Sequence, residues 1–133
     1  MSASLVLLWS IAVAAFLIYV PFVAVSIGRF QVGYDYHAPR ALFEKLPPYA
    51  RRANWAHQNA LEVFPIFAAA VLMVLVTERT SNLAANLAVA YLVCRLLHGA
   101  FYIADIPVAR SLAWVGGMAC IAGLVAISLA LLN

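Results

Sequence analysis

Apolar residues run along this chain in four long blocks separated by three polar interruptions of unequal length. The blocks cover residues 4–27, 53–76, 83–103 and 108–132. Each reaches the roughly 20 apolar residues that a helix needs to cross the hydrocarbon of a bilayer. The pattern predicts an all-α membrane protein with four transmembrane helices in a single domain, residues 1–133. The first interruption, residues 28–52, is the long stretch GRFQVGYDYHAPRALFEKLPPYARR, whereas TERTSN at 77–82 and ADIP at 104–107 are short. Short links force neighbouring helices to run antiparallel, so the third should pack beside the second and the fourth. An antiparallel four-helix bundle is the simplest architecture.

Composition agrees with the bilayer as solvent. Of 133 residues, 67% are hydrophobic and 10% charged, against about half and about a quarter in a soluble domain. A core of this size cannot hide that much apolar surface. The first block carries no Lys or Arg before Arg29 and is longer than the roughly 7–15 residues of a signal-peptide core, so it reads as a retained helix. The net charge of +3 forms no clustered basic face, which argues against nucleic acid as a partner. Five cations, Arg29, Arg40, Lys45, Arg51 and Arg52, fall in the first interruption, and Arg79 stands alone in the second. Cations in short loops favour the cytoplasm, so loop 28–52 should face it, with both termini on the opposite side. Cys94 and Cys120 lie in apolar runs without CxxC or Cys/His spacing and read as packing residues, with no metal site. Small-residue pairs, Ala84 with Ala88 and Ala119 with Gly123, allow close helix approach and suit bundling or oligomerisation.

The polar residues inside the blocks carry the candidate chemistry. On a helix, steps of three, four and seven share a face. Trp55, Asn59 and Glu62 then form one stripe on the second helix, flanked by His57 and Gln58. Tyr91, Arg95, His98 and Tyr102 form a stripe on the third. With an entry near Ala53, Glu62 lies about 13 Å deep, and Arg95 lies about 12 Å from an exit near Ile103. This matching predicts a buried Glu62–Arg95 ion pair, an Asn59–His98 meeting one turn nearer the surface, and Trp55 and Tyr102 at the rim. Ionisable groups in a span face the bundle interior or a wet cavity. Pro65, which cannot donate to the carbonyl of Leu61, should kink the second helix. Arg110 either snorkels to the interface or points into the mouth of a cavity. The whole set is open to two readings, a structural lock between helices or a polar cavity facing the cytoplasm.

The run WAHQNALEVFP (55–65) and the run RLLHGAFYIADIPVARS (95–111) resemble the MAPEG family, the membrane-associated proteins in eicosanoid and glutathione metabolism, as a bacterial-type member. The family's second-helix motif is R-A-x-x-N-x-x-E-x-x-P, and the resemblance extends over essentially the whole chain. It implies a homotrimer that binds glutathione as a thiol co-substrate between subunits, in a cytoplasm-facing cavity. By position it implies that Asn59, Glu62, Arg95, His98 and Tyr102 contact glutathione, with Gln58 and His57 beside them. It implies that Arg110 stabilises the thiolate. One letter departs: the leading arginine of the motif is Trp55, which cannot pair with a carboxylate, although Arg51 and Arg52 lie a turn away. The implied activity is that of a glutathione transferase or peroxidase acting on a lipophilic small-molecule substrate taken from membrane lipid. The alternative is a non-catalytic protein of the same fold that binds a lipid or a partner. A transporter is disfavoured, because no Gly/Pro-interrupted internal repeat is present.

Overall fold

The computed structural model describes residues 1–132. The order is α1 (Ala3–Leu17), α2 (Val20–Gln31), a short 3₁₀ helix (Pro39–Lys45), α3 (Pro48–Val76), α4 (Asn82–Ile103) and α5 (Pro107–Ser128). Helices α1 and α2 make the first span together, and α3, α4 and α5 are the others, so the chain is a multi-pass integral membrane protein. The long 28–52 connection and the turn at Asp105 mark one end of the bundle, here the loop end. The chain termini and the 77–82 turn mark the other.

Three corrections to the expected spans have physical causes. The first span is not one helix: it breaks at Ile18 and Tyr19. Pro21 has no N–H for the carbonyl of Leu17, and its ring crowds that carbonyl. The Tyr19 amide turns back to Phe16 O (3.0 Å), and the freed carbonyl of Ile18 accepts from His57 Nδ1 (2.7 Å). By contrast, the helix assignment of α3 runs unbroken through Pro65, which lies on its exposed side. Helix α3 also begins at Pro48, five residues before the expected start, because proline is well suited to a first helical turn, where its missing N–H is not needed. Helix α5 ends at Ser128 rather than running to 132.

Capping defines the other ends. Ser2 and Ser81 accept from the amides of Leu5 (3.3 Å) and Ala84 (3.1 Å), satisfying donors that a helix N-terminus leaves free. Helices α3, α4 and α5 close on left-handed residues, Glu78 (φ 57°), Asp105 (φ 62°) and Ala130 (φ 62°). Each is followed by an amide reaching back five residues, as in Arg79 N to Val74 O (3.1 Å).

Two cores hold the bundle. The larger joins α1, α3, α4 and α5 and includes Leu7, Phe67, Val71, Ala84, Ala88 and Leu124. The rings of Phe67 and Tyr91 stack at its centre, 3.8 Å apart and 8° from parallel. The smaller joins α2 to the start of α3 through Val25, Leu46, Ala50 and Ala53. There Gly28 meets Ala50 so closely that a side-chain carbon on Gly28 would collide with the Ala50 methyl. Of the small-residue pairs, Ala84 and Ala88 are both fully buried. Gly123 lies against Leu87, while Ala119 is exposed.

Candidate functional site

The polar residues of the spans gather at the loop end. On α4, Arg95 and His98 are 9% and 4% exposed. Arg95 Nη2 donates to Asn59 Oδ1 on α3 (3.1 Å). His98 Nδ1 donates to the backbone carbonyl of Arg110 on α5 (3.1 Å). The Tyr102 ring meets the His98 ring edge-on (centroids 5.5 Å apart, 80°). The Arg110 guanidinium lies over the other partner of this group, the Tyr102 ring, with Cζ 4.7 Å from its centroid. A cation over an aromatic face is attracted by the ring's quadrupole. Three helices thus bring two contact sets to one end of the bundle, Asn59 with Arg95 and, one turn on along α4, His98 with Tyr102 and Arg110, and the expected meeting of α3 with α4 is real.

Its partners differ from the expectation. The Glu62–Arg95 ion pair is not formed within the chain. Asn59, not Glu62, stands opposite Arg95, and Glu62 is exposed. Two causes combine. Counting depth from residue 53 rather than Pro48 placed α3 five residues out of register. The stripe Trp55–Asn59–Glu62 also lies beside the buried face of α3, which is built from Ala53, Ala56, Val63 and Phe67. Asn59 is half-buried at the edge of that face, while Trp55 and Glu62 turn outward. Asn59 and His98 do not bond to each other; His98 is engaged with α5 instead. Trp55 does sit with Tyr102, at 6.4 Å between centroids, and takes Phe43 on its other side at 5.9 Å.

His57 and Gln58 stand apart from this cluster, on another side of α3. They line a pocket of about 610 Å³ with Asn54, Tyr19, Phe22, Arg29 and Arg40. His57 is held by Ile18 O and flanked by the rings of Phe22 (5.0 Å) and Tyr19 (5.7 Å). Arg29 Cζ lies 5.4 Å from the Phe22 centroid, and its Nε is buried without a hydrogen-bond partner. Sequence reasoning passed over Arg29, Arg40 and Asn54 as pocket residues. The available signals were a cation placed at the very end of the first span and an Asn one turn before Gln58. Of the two arginines near Trp55, Arg52 is committed: Nη1 pairs with Asp105 (3.6 Å) and Nε donates to Ile103 O (3.1 Å). Arg51 Nε donates to Leu46 O (2.9 Å). Both line a pocket of about 300 Å³ with Trp55.

Chemically, this end of the bundle offers buried polar atoms without partners. Among the described residues, the single ion pair is Arg52–Asp105. Three buried nitrogens, Arg29 Nε, Arg95 Nη1 and His98 Nε2, lack a protein partner. Buried polar groups are nearly always hydrogen-bonded. Arg95, buried in a span and without a carboxylate partner among the described residues, suits an anionic ligand.

A four-span membrane bundle with a cationic, aromatic-lined cluster at one end of its helices is the class of protein that fold and site define. The chain belongs to the MAPEG family, whose model matches residues 6–130. No curated protein and no solved structure matches it.

Proposed function

We propose that the protein is a membrane-bound glutathione transferase or peroxidase-like enzyme. It joins lipophilic electrophiles to a bound thiol, or reduces them with it, in a polar cavity facing the cytoplasm. The observation that carries this reading is the set of cations at one membrane end, Arg95 and Arg110 beside Asn59 and Tyr102, and Arg29 in the pocket on another side of α3, none paired to a carboxylate among the described residues. Glutathione presents two carboxylates, one ammonium and a thiol, and this set has matching groups. Arg29, Arg95 and Gln58 suit its carboxylates, and Glu62 suits its ammonium.

Each residue then has a physical task. Arg110 places a positive charge near the sulfur, which favours the thiolate, the reactive form. Tyr102 holds the Arg110 guanidinium from below, and His98 fixes the Arg110 backbone. Asn59 orients Arg95. In transfer, the thiol proton leaves to solvent, the sulfur attacks an electrophilic carbon, and a carbon–sulfur bond forms as the bond to that carbon's leaving group breaks and the group departs with its electron pair. In reduction of a hydroperoxide, two thiols become one disulfide while the hydroperoxide becomes alcohol and water. No nucleophile on the protein is needed, and the bilayer delivers the lipophilic partner to the apolar surface.

Glu62 and Trp55 support a homotrimer. A carboxylate turned outward from an apolar span is unfavourable against lipid, and a neighbouring subunit covering that face completes the cavity. The five cations of loop 28–52 support a cavity on the cytoplasmic side, since cations in loops favour the cytoplasm. A second reading, a non-catalytic protein binding a lipid or a partner, is favoured by Trp55, whose neutral ring packs between Phe43 and Tyr102 where the motif has arginine.

The test is a thermal-unfolding screen of the purified protein with glutathione, S-methylglutathione and other small thiols. Stabilisation by glutathione, weakened in Arg95→Gln, supports the enzyme. The second reading takes over when no thiol shifts the transition at millimolar concentration and lipids do.

A further inference from the structure

Just past the first span, the chain carries an ordered stack of exposed aromatic rings. Helix α2 turns one apolar face outward: Val20, Val23, Ile27 and Phe30, spaced by three and four residues, are all exposed. On its other side Pro21, Val25 and Gly28 are buried. The outward face belongs to a membrane span, so lipid borders it. Phe30 is its last member and is 64% exposed. The Tyr34 ring stacks on Phe30 (centroids 4.9 Å apart, 25°), and the Tyr36 ring meets Tyr34 in turn (4.8 Å, 56°). Tyr36 is 79% exposed.

Local structure holds these rings in place. Gly33 takes a left-handed conformation (φ 88°), which turns the chain at the end of α2 and lets Tyr34 return to Phe30. The Gly33 amide donates to Phe30 O (3.3 Å). Asp35 Oδ1 then accepts from the amides of His37 (2.9 Å) and Ala38 (3.2 Å), an Asx turn that fixes the backbone on either side of Tyr36. Asp35 is the only Asp, Glu, Lys or Arg between residues 30 and 38, and those two amides engage its carboxylate.

We infer that residues 30–36 form a membrane anchor whose partner is the headgroup layer of the bilayer that the chain spans. The ladder continues the lipid-facing stripe of α2 without a gap, and a lipid face ends in headgroups. Each interfacial layer is about 5–8 Å thick, and ring-to-ring steps of 4.9 and 4.8 Å cover that distance from the last turn of the span. Tyrosine suits this layer, with an apolar ring for the acyl boundary and a hydroxyl for lipid carbonyls, phosphates and water. Projected into water, the same three rings would form an uncovered apolar patch. Arg29 and Pro39 bracket the ladder in sequence, and both line the pocket beside His57, so the anchor holds that pocket's rim at headgroup level. It does so whether or not a thiol binds at the loop end.

The test places a tryptophan probe at position 36 in phosphatidylcholine nanodiscs. Trp9, Trp55 and Trp114 are all exposed, so Trp9→Phe, Trp55→Phe and Trp114→Phe leave Tyr36→Trp as the single emitter. Phosphatidylcholine brominated near the carbonyl end of its chains quenches this emission at least about twofold more than the same lipid brominated near the methyl end, and aqueous iodide quenches it weakly. Val23→Trp, about 10 Å deeper than Phe30 along α2, shows the reverse preference between the two lipids. If the chain without its native tryptophans does not fold, the difference in quenching between Tyr36→Trp and the unsubstituted protein carries the same expectation. Strong quenching of the Tyr36→Trp probe by iodide and none by either lipid puts the segment in water and overturns the anchor. Equal or stronger quenching by the methyl-end lipid puts the ring in hydrocarbon and overturns the headgroup assignment. Quenching by none of the three means that protein covers the ladder, from this chain or another copy, and overturns the proposal as well.

Discussion

Replacing Asn59 with Leu removes the acceptor of Arg95 Nη2 and leaves both terminal nitrogens of a 91% buried (9% exposed) guanidinium without partners. In soluble proteins a hydrogen bond to a charged group contributes about 1.5–3 kcal/mol. Interhelical bonds in membrane proteins average only about 0.6 kcal/mol, with a maximum near 1.7, because the unfolded helices also find partners in the membrane. The Arg95 donor is charged and enclosed, so the upper end of the membrane range applies, about 1.5 kcal/mol of coupling. The perturbation is a double-mutant cycle of Asn59→Leu with Arg95→Met, read by reversible unfolding in mixed micelles. Arg95→Met alone should cost less than Asn59→Leu alone allows for the charge, because it removes the guanidinium together with its desolvation cost. In the Arg95→Met background, Asn59→Leu should then be nearly neutral. Independent sites add within about 0.3–0.5 kcal/mol. Additivity within that margin refutes the claim that this bond ties α3 to α4. A parallel cycle with Glu62→Gln, run on chains dissociated in detergent, should be additive, since Glu62 does not reach Arg95 within the chain.

Gly28→Ala should destabilise by about 1–3 kcal/mol, because the new methyl meets that of Ala50 where α2 crosses α3; thermal unfolding checks it, and no change would place α2 further from α3. His57→Leu removes the partner of Ile18 O and should cost about 0.5–1.5 kcal/mol, with hydrogen exchange accelerating around residues 18–22 and not in α5. Glu78→Gly relieves a left-handed residue and should stabilise by about 1 kcal/mol, seen as a higher melting temperature.

The spans were legible because apolar run length alone decides whether a helix can cross a bilayer. Which proline breaks its helix was not. Pro21 and Pro65 look alike in sequence, both set in apolar runs. What separates them is a residue far along the chain: His57 donates to the carbonyl that the break at Ile18 sets free, while Pro65 sits on the exposed side of a helix that stays continuous. The start of α3 was misread for a local reason, since the Pro47–Pro48 pair reads as loop although proline suits a first helical turn. With α3 starting at Pro48, Asn59 lies 11 residues in and Glu62 14, so Asn59 is the nearer in depth to Arg95, eight residues from the end of α4. The cluster itself survived, because the spacing of Arg95, His98 and Tyr102 depends only on helical period. The pocket around Arg29 was out of reach of period arguments, since it needs α2, α3 and the 3₁₀ segment together.

The claim that this bundle end activates a thiol is tested most directly by the ultraviolet difference spectrum of bound glutathione at neutral pH. A thiolate band in the wild-type protein, lost in Arg110→Ala while glutathione still stabilises the fold, is the expected result. Glutathione bound with no thiolate band, or a band that Arg110→Ala leaves unchanged, would contradict it.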